Sequence, residues 1–156
     1  MVSVETLLYI VKHGKVLLIE KKRGLGEGLY NGVGGKVEGK ETPEQAVIRE
    51  CVEEVGVVPK NIEWMGVIEF YNDGSLYGYV HIFIADDYEG TLRESAEAKP
   101  VWFDIDDLPF DRMWEDDKFW LPLVLLKRRR IYARFDFVEN WSRLVKKRIF
   151  VLKSVL

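Results

Sequence analysis

Hydrophobic positions along the chain gather in short runs rich in β-branched and aromatic residues, broken by turn residues, and change to helical spacing in only two stretches. "TLLYIV" and "KVLLIE" flank "KHG" and predict a β-hairpin at the start of the domain. The periodicity then stops. "KKRGLGEGLYNGVGGKVEGKE" holds seven of the thirteen glycines, so it reads as loop and tight turn, with at most a brief strand around Val33 to Val37. From Thr42 the spacing is helical. Thr42 is the N-cap, Pro43 takes the first helical position, Ala46, Val47, Cys51, Val52 and Val55 form the apolar side, and Gly56 is the stop.

Three further runs, "IEWMGVIEFY", "YGYVHIFIADD" and "PVWFDID", read as strands, separated by Asn-Asp-Gly and by a polar stretch at 89–99. A second helix is predicted from Glu115 through "DDKFWLPLVLLKRRR", acidic in its first turn and basic in its last as the macrodipole favours, with Pro122 placed to kink it. "IYARFDFVE" and "VKKRIFVL" read as a closing pair of strands. No repeat or linker interrupts residues 1–156, so they are expected to form a single α/β domain with its sheet between two helices.

At 156 residues and 47% apolar content the chain can bury one proper core and is short for two. A net charge of −3 argues against steering of the whole molecule toward a nucleic-acid backbone, so no nucleic-acid polymer is expected as partner, while small charged ligands remain open. Cys51 is the one cysteine, and nothing demands an oxidising compartment. No segment approaches the ~18 apolar residues needed to span a bilayer, and a polar turn interrupts the first apolar run before a signal-peptide core could form. A cytoplasmic protein without a membrane partner is expected.

The candidate chemistry concentrates in "RECVEEVGV" at 49–57. Glu50, Glu53 and Glu54 stand at i, i+3 and i+4, on one side of a helix, where like charges repel by a few tenths of a kcal/mol per pair. They face either solvent or a cation. A loop crowded with glycine just before the helix, including Gly34 and Gly35, lets backbone N–H groups come close to phosphate oxygens. Carboxylates of this kind suit Mg²⁺ or Mn²⁺, which also take the phosphates of a substrate as ligands. Arg49 and Glu41 read as a structural pair that orients helix and loop.

The run "GKVEGKETPEQAVIRECVEEVGV", from Gly35 through Val57, resembles the signature of the Nudix hydrolases. That signature is a glycine, five residues, Glu, seven residues, Arg-Glu, an apolar residue, any residue, Glu-Glu, any residue, Gly and an apolar residue. All nine specified positions over 23 residues are filled, Cys51 serving as the first apolar one. The resemblance implies an α/β/α sandwich with a mixed sheet and metal-dependent hydrolysis of a nucleoside diphosphate linked to another group. It implies a metal set of Gly34, Glu50, Glu53 and Glu54, with Glu97 as a further ligand or base from the loop before the late strand. Glu53, Glu54 and Glu97 all stand as candidates for the group that deprotonates the attacking water.

"KKRGLGEGLYNGVGGKV" and "WFDIDDLPFDRMWEDDKFWLPLVLLKRR" resemble, more narrowly, the oxidised-purine nucleoside triphosphate hydrolases, or 8-oxo-dGTP diphosphatases, of animals. That likeness covers nearly the whole chain. It implies that Asn31, Asp116 and Asp117 read the base edge, that Trp114 stacks on its face, and that Thr6, Lys21 and Lys36 lie on the phosphate or base side. Two adjacent acids in an apolar pocket are not expected to stay ionised together, which favours a broad purine specificity. Asp116 and Asp117 also suit a plain helix N-terminus, Trp114 and Trp120 a plain core, and "KRRR" at 127–130 a helix C-terminus. Leu25 stands where the animal enzymes carry an aromatic, Tyr30 replaces a tryptophan, and "EFYNDGSLYGYVHIF" aligns only with a gap. The expected reaction converts an oxidised purine triphosphate to the monophosphate and pyrophosphate, in a monomer. The rivals are hydrolysis of ADP-ribose or a cap-like nucleotide, and a nucleotide-binding module without catalysis.

Overall fold

The computed structural model describes residues 1–153. In chain order the elements are β1 (Ser3–Lys12), β2 (Lys15–Lys21), β3 (Tyr30–Asn31), α1 (Pro43–Val55), β4 (Val58–Lys60), β5 (Glu63–Asn72), β6 (Ser75–Ala85), β7 (Asp87–Glu89), β8 (Ala98–Asp104), α2 (Asp117–Leu125), β9 (Ile131–Val138) and β10 (Arg143–Val151). Eight strands form one mixed sheet in the order β10-β9-β5-β6-β1-β2-β3, with β8 also paired to β2. β1 runs parallel to β6 and β5 parallel to β9, while the remaining pairs of this sheet are antiparallel. β4 and β7 make a separate two-stranded ladder that the sequence pattern did not reveal, because three residues carry too little periodicity.

Strand alternation divides the core into two layers. Leu8 and Ile10 of β1 and Leu17 and Ile19 of β2 pack with Val47, Cys51 and Val55 of α1. Tyr9, Val16 and Leu18 face the other way, into a cluster with Trp120, Leu121 and Val124 of α2. Each such aliphatic side chain contributes about 1.5–3 kcal/mol as an upper estimate. The sheet therefore lies between the two helices, as the patterning predicts.

α1 begins with a reciprocal cap. The Gln45 N–H donates to Thr42 Oγ1 at 3.1 Å and the Thr42 N–H donates to Gln45 Oε1 at 2.9 Å, a motif that contributes about 1 kcal/mol. Gly56 ends the helix at φ +79°. Val52, expected on the apolar side, is exposed, because the buried stripe runs through Ala46, Val47, Cys51 and Val55 and position 52 lies about 100° around the axis from Cys51.

Two other expectations are corrected. The brief strand falls at Tyr30–Asn31 on β2, while Val33 and Lys36 meet β1 only through isolated bridges to Leu8 and Glu5. α2 ends at Leu125, with Pro122 inside it, and "KRRR" lies beyond it. The chain turns back there: the N–H groups of Lys127 and Arg129 donate to the carbonyls of Pro122 and Leu123, and Arg128 sits at φ +53°. Backbone donors thus close this helix end, and its last turn holds no basic residue.

The wedge that makes the site opens between β1 and β2. They pair only from Ile10–Leu17 to Lys12–Lys15 and then separate. The glycine-rich loop fills the gap, bonding to β1 through Leu8 N–H to Val33 O at 2.6 Å, Val33 N–H to Leu8 O at 2.9 Å and Thr6 N–H to Gly35 O at 2.9 Å. Position 34 has no room for a side chain, since a Cβ there would lie 1.8 Å from the Thr6 carbonyl oxygen. Gly34→Ala is expected to push the loop off β1 and lower the urea midpoint, at a cost of about 1–3 kcal/mol or more. An unchanged midpoint would show that the loop is not clamped at this point.

Candidate active site

A cavity of about 720 Å³ opens where the glycine loop, α1 and the start of α2 converge. Thr6, Lys21, Asn31, Gly34, Gly35 and Lys36 line it from β1, β2 and the loop. Glu50, Glu53 and Glu54 line it from α1, and Glu97 from the segment before β8. Trp114, Asp116 and Asp117 close its far end. Residues scattered from 6 to 117 thus share one space, and Glu41 and Arg49 stand just outside its lining.

At the acidic end, Arg49 is the hub. Its guanidinium donates to both carboxylate oxygens of Glu41, at 2.7 and 2.9 Å, to Glu50 at 2.9 Å, to Glu53 at 3.3 Å and to the Lys36 carbonyl at 3.0 Å. One side chain thereby ties the helix to the loop, and the bidentate fork explains why arginine suits the position. Glu41 is held below the usual carboxylate range by Arg49. Glu50 and Glu54 shift the other way. Burial raises Glu50, and burial together with the charge of Glu50 pushes Glu54 up to about 8. Glu53 is the more open of the trio, with 58% of its side chain exposed against 16% for Glu50. Among the described residues no three acidic side chains already converge on one point, since Arg49 holds Glu50 and Glu53 to itself. Gly35 lets the loop backbone lie against Glu50, whose carboxylate atoms would be 2.5–2.8 Å from a Cβ there. Glu97 reaches the cavity rim and pairs with Arg23, which lowers its pKa.

The other end is aromatic. Asp116 is the N-cap of α2 yet makes no capping bond, and its Oδ2 accepts from Trp120 Nε1 at 2.8 Å. Asp116 and Asp117 are both only 2% exposed. Burial pushes Asp116 up to about 6, and burial plus the neighbouring charge raises Asp117 well above its ordinary value. Asp117 Oδ2 and the hydroxyl of Tyr9 are sealed without a partner. Two acids placed only to favour a helix dipole would not be buried in this way. Trp120 is core, whereas Trp114 lines the cavity with its ring edge-on to Phe137 and Trp141.

Several lining residues lay outside the sequence reading. Phe70 and Tyr77 come from the β5–β6 hairpin, Phe137 from β9 and Trp141 from the β9–β10 connection. Each reads as an ordinary strand or turn aromatic, so the local pattern holds no signal for them. Leu25 is half exposed on the cavity wall, and Tyr30 is turned away onto Phe103, ring centroids 4.9 Å apart. His13 sits in the β1–β2 turn, and His81 Nδ1 accepts from Trp64 outside the cavity.

A model of the NUDIX domain matches residues 3–140. The chain belongs to the NUDIX domain family. This Nudix protein is 51% identical over 134 residues to the oxidized purine nucleoside triphosphate hydrolase of Danio rerio, covering 84% of this chain and 85% of that one. It is 44% identical over 136 residues to the Mus musculus protein of the same name, covering 86% of each. Among solved structures it superposes on the MutT protein of Bacillus halodurans with a TM-score of 0.84 and 29% identity, over 95% of this chain and 97% of that one.

The raised Glu54 sets a pH dependence. A carboxyl with a higher pKa folded than unfolded binds more protons in the native state, so it weakens stability as pH rises above the unfolded value. For Glu54 that window runs from about 4.5 to about 8. Glu41 and Glu97, held low by arginines, act in the opposite sense and only as pH falls through their own lower range. In chelator, the melting temperature of the Nudix protein is expected to fall across pH 4.5 to 8, and Glu54→Gln to flatten that fall. Parallel melting curves for the two proteins would contradict the assignment.

Proposed function

We propose that this Nudix protein, acting as a cytoplasmic monomer, hydrolyses oxidised purine nucleoside triphosphates to the monophosphate and pyrophosphate and so clears them from the nucleotide pool. The observation that carries the reading is one cavity with a carboxylate cluster at one end and two buried aspartates beside a tryptophan at the other. The 51% identity to an oxidized purine nucleoside triphosphate hydrolase supports the substrate class.

The base end offers both senses of hydrogen bond. Asn31 Oδ1 accepts from the Gly32 N–H at 3.0 Å, which leaves the Asn31 amide N–H groups to donate to a purine carbonyl. Burial raises both Asp116 and Asp117, and the charge of Asp116 raises Asp117 further, so the pair favours one carboxylate that accepts beside one carboxyl that donates. A guanine-type edge gives N1–H and an amine to the acceptors, and an adenine-type ring nitrogen can take the proton of Asp117. Trp114 stacks on the base.

At the acidic end the hard oxygen donors, with Glu54 raised by burial and by the charge of Glu50, suit a divalent cation. Glu50, Glu53, Glu54 and the carbonyl of Gly34 would hold Mg²⁺ or Mn²⁺, joined by Glu97 on release from Arg23, and the bound ion would offset phosphate charge and acidify a water. Thr6, Lys21 and Lys36 line the same cavity and would face the triphosphate. The water oxygen forms a new bond to a phosphorus of the α–β bridge, the bridging P–O bond breaks, and pyrophosphate leaves. The water's proton goes to a carboxylate of α1, Glu53 or Glu54.

Pyrophosphate release measured with Mg²⁺ over a panel of oxidised guanine and adenine triphosphates, their normal counterparts and ADP-ribose tests the assignment. Oxidised purines are expected to turn over best, and fastest turnover of ADP-ribose would sink it. Replacing the base carboxylate, by Glu53→Gln or Glu54→Gln, is expected to lower kcat by about 10²–10⁴-fold, and two variants as active as wild type would remove catalysis from α1. Asp117→Asn is expected to raise KM for the oxidised guanine substrate by roughly 10- to 100-fold, the loss of one paired base contact, and an unchanged KM would place base reading elsewhere.

A further inference from the structure

α1 covers only part of its side of the sheet, lying over β1 and β8. On the same side no helix among the described residues lies over β5, β9, β10 or the first half of β6, and their register lines up Phe150, Tyr132, Val67 and His81 in one row. The next row is Arg148, Arg134, Glu69 and Tyr79. Trp64 adds its ring beside His81, donating Nε1–H to His81 Nδ1 at 3.1 Å. Exposure is 56% for Phe150, 38% for Trp64 and 36% for Tyr132, a set of large rings that a solvated sheet face does not require.

Charge gathers along the same edge. Residues 127–148 hold nine basic and two acidic side chains, although the chain as a whole is net −3. Arg130, Arg134 and Arg143 are engaged by Glu63, Asp136 and Glu139. Lys127, Arg128, Arg129, Lys146 and Arg148 are exposed and make no ion pair among the described residues, while Lys147 lies over the Phe119 ring on the α2 side. "KRRR" does not cap α2, and the hydrogen bond from Leu152 N–H to Arg130 O at 2.8 Å sets it against the end of β10.

We propose that this open sheet face, with Trp64, Tyr132 and Phe150 as its rings and the cations of "KRRR" and β10 along its edge, binds single-stranded nucleic acid. The rings lie on strands about 4.8 Å apart and offer flat surfaces to unpaired bases, while the unpaired cations meet the phosphates. A duplex hides its base faces and leaves the rings without a partner. A lipid surface calls for a continuous apolar stripe, whereas Glu69, Arg134 and His81 interrupt this one. Net charge hides the site because only two of the 26 acids fall within residues 127–148, and attraction at contact range follows the local field.

Fluorescence anisotropy with a labelled strand of about twelve thymidines tests the proposal. Wild type is expected to bind it, with affinity falling roughly 10- to 50-fold between about 50 and about 200 mM salt, the slope for three to four neutralised phosphates. The double variant Tyr132→Ala/Phe150→Ala is expected to bind at least about tenfold more weakly, as for stacking lost at two bases, with its melting temperature and nucleotide hydrolysis close to wild type. Lys146→Glu/Arg148→Glu is expected to flatten the salt slope. No binding by wild type at low salt, equal binding by the ring variant, preference for the duplex, or binding confined to phosphatidylserine vesicles would each overturn the proposal.

Discussion

The backbone of Gly34 lies against the carbonyl of Thr6 more closely than any side chain allows, and the functional end of the molecule depends on that contact. β1 and β2 start as a tight hairpin and then separate, which leaves unpaired backbone groups facing each other across a widening gap. The loop between β2 and α1 satisfies them, with Tyr30–Asn31 on one strand and Val33 to Val37 on the other. Wedged in this way, a segment rich in glycine becomes a rigid wall. It presents Asn31 to one end of the cavity and brings Gly35 against Glu50 at the other.

The two ends of the cavity carry acids in different electrostatic states. On α1, Arg49 compensates Glu41, Glu50 and Glu53, while burial together with the negative charge of Glu50 pushes Glu54 up to about 8. That is the condition under which a cation is drawn in, because binding one removes both the repulsion and the desolvation cost. At the start of α2, Asp116 and Asp117 are buried among rings, and burial raises both while the charge of Asp116 adds to the rise at Asp117, which favours one carboxyl beside one carboxylate. A divided pair supplies an acceptor and a donor side by side, and so can meet more than one pattern of purine edge.

The same sheet meets two different surroundings on the α1 side. Over β1, β2 and β8 its side chains are sealed by the helix, as Leu8, Leu17 and Ala98 are. From His81 outward to β10 the exposed rows mix rings such as Tyr132 and Phe150 with charges such as Glu69, Arg134 and Arg148, with the cations of the last third of the chain along the rim. Thr6 belongs to both regions, lining the cavity and pairing in register with His81 at the inner end of the open face. The catalytic cavity and the open platform therefore meet where β1 pairs with β6.

Much of this was written in local pattern. Thr42, Pro43 and Gly56 mark α1 to the residue because caps act within one turn, and helical spacing puts Glu50, Glu53 and Glu54 on one side, their role as a site coming only with the wider signature that includes Arg49. The hairpins and the two-layered core follow from alternation. Tertiary structure decided the rest. Phe70, Tyr77, Phe137 and Trp141 enter the cavity because strands distant in sequence lie side by side, and no local rule links a ring at 70 to one at 141. The end of α2 was set by backbone bonds from a segment whose charges suggested a longer helix. Charge followed the same logic: a sum over residues reports −3, but only folding places the cations of 127–148 on one edge, since position in space and not composition fixes the field a ligand meets.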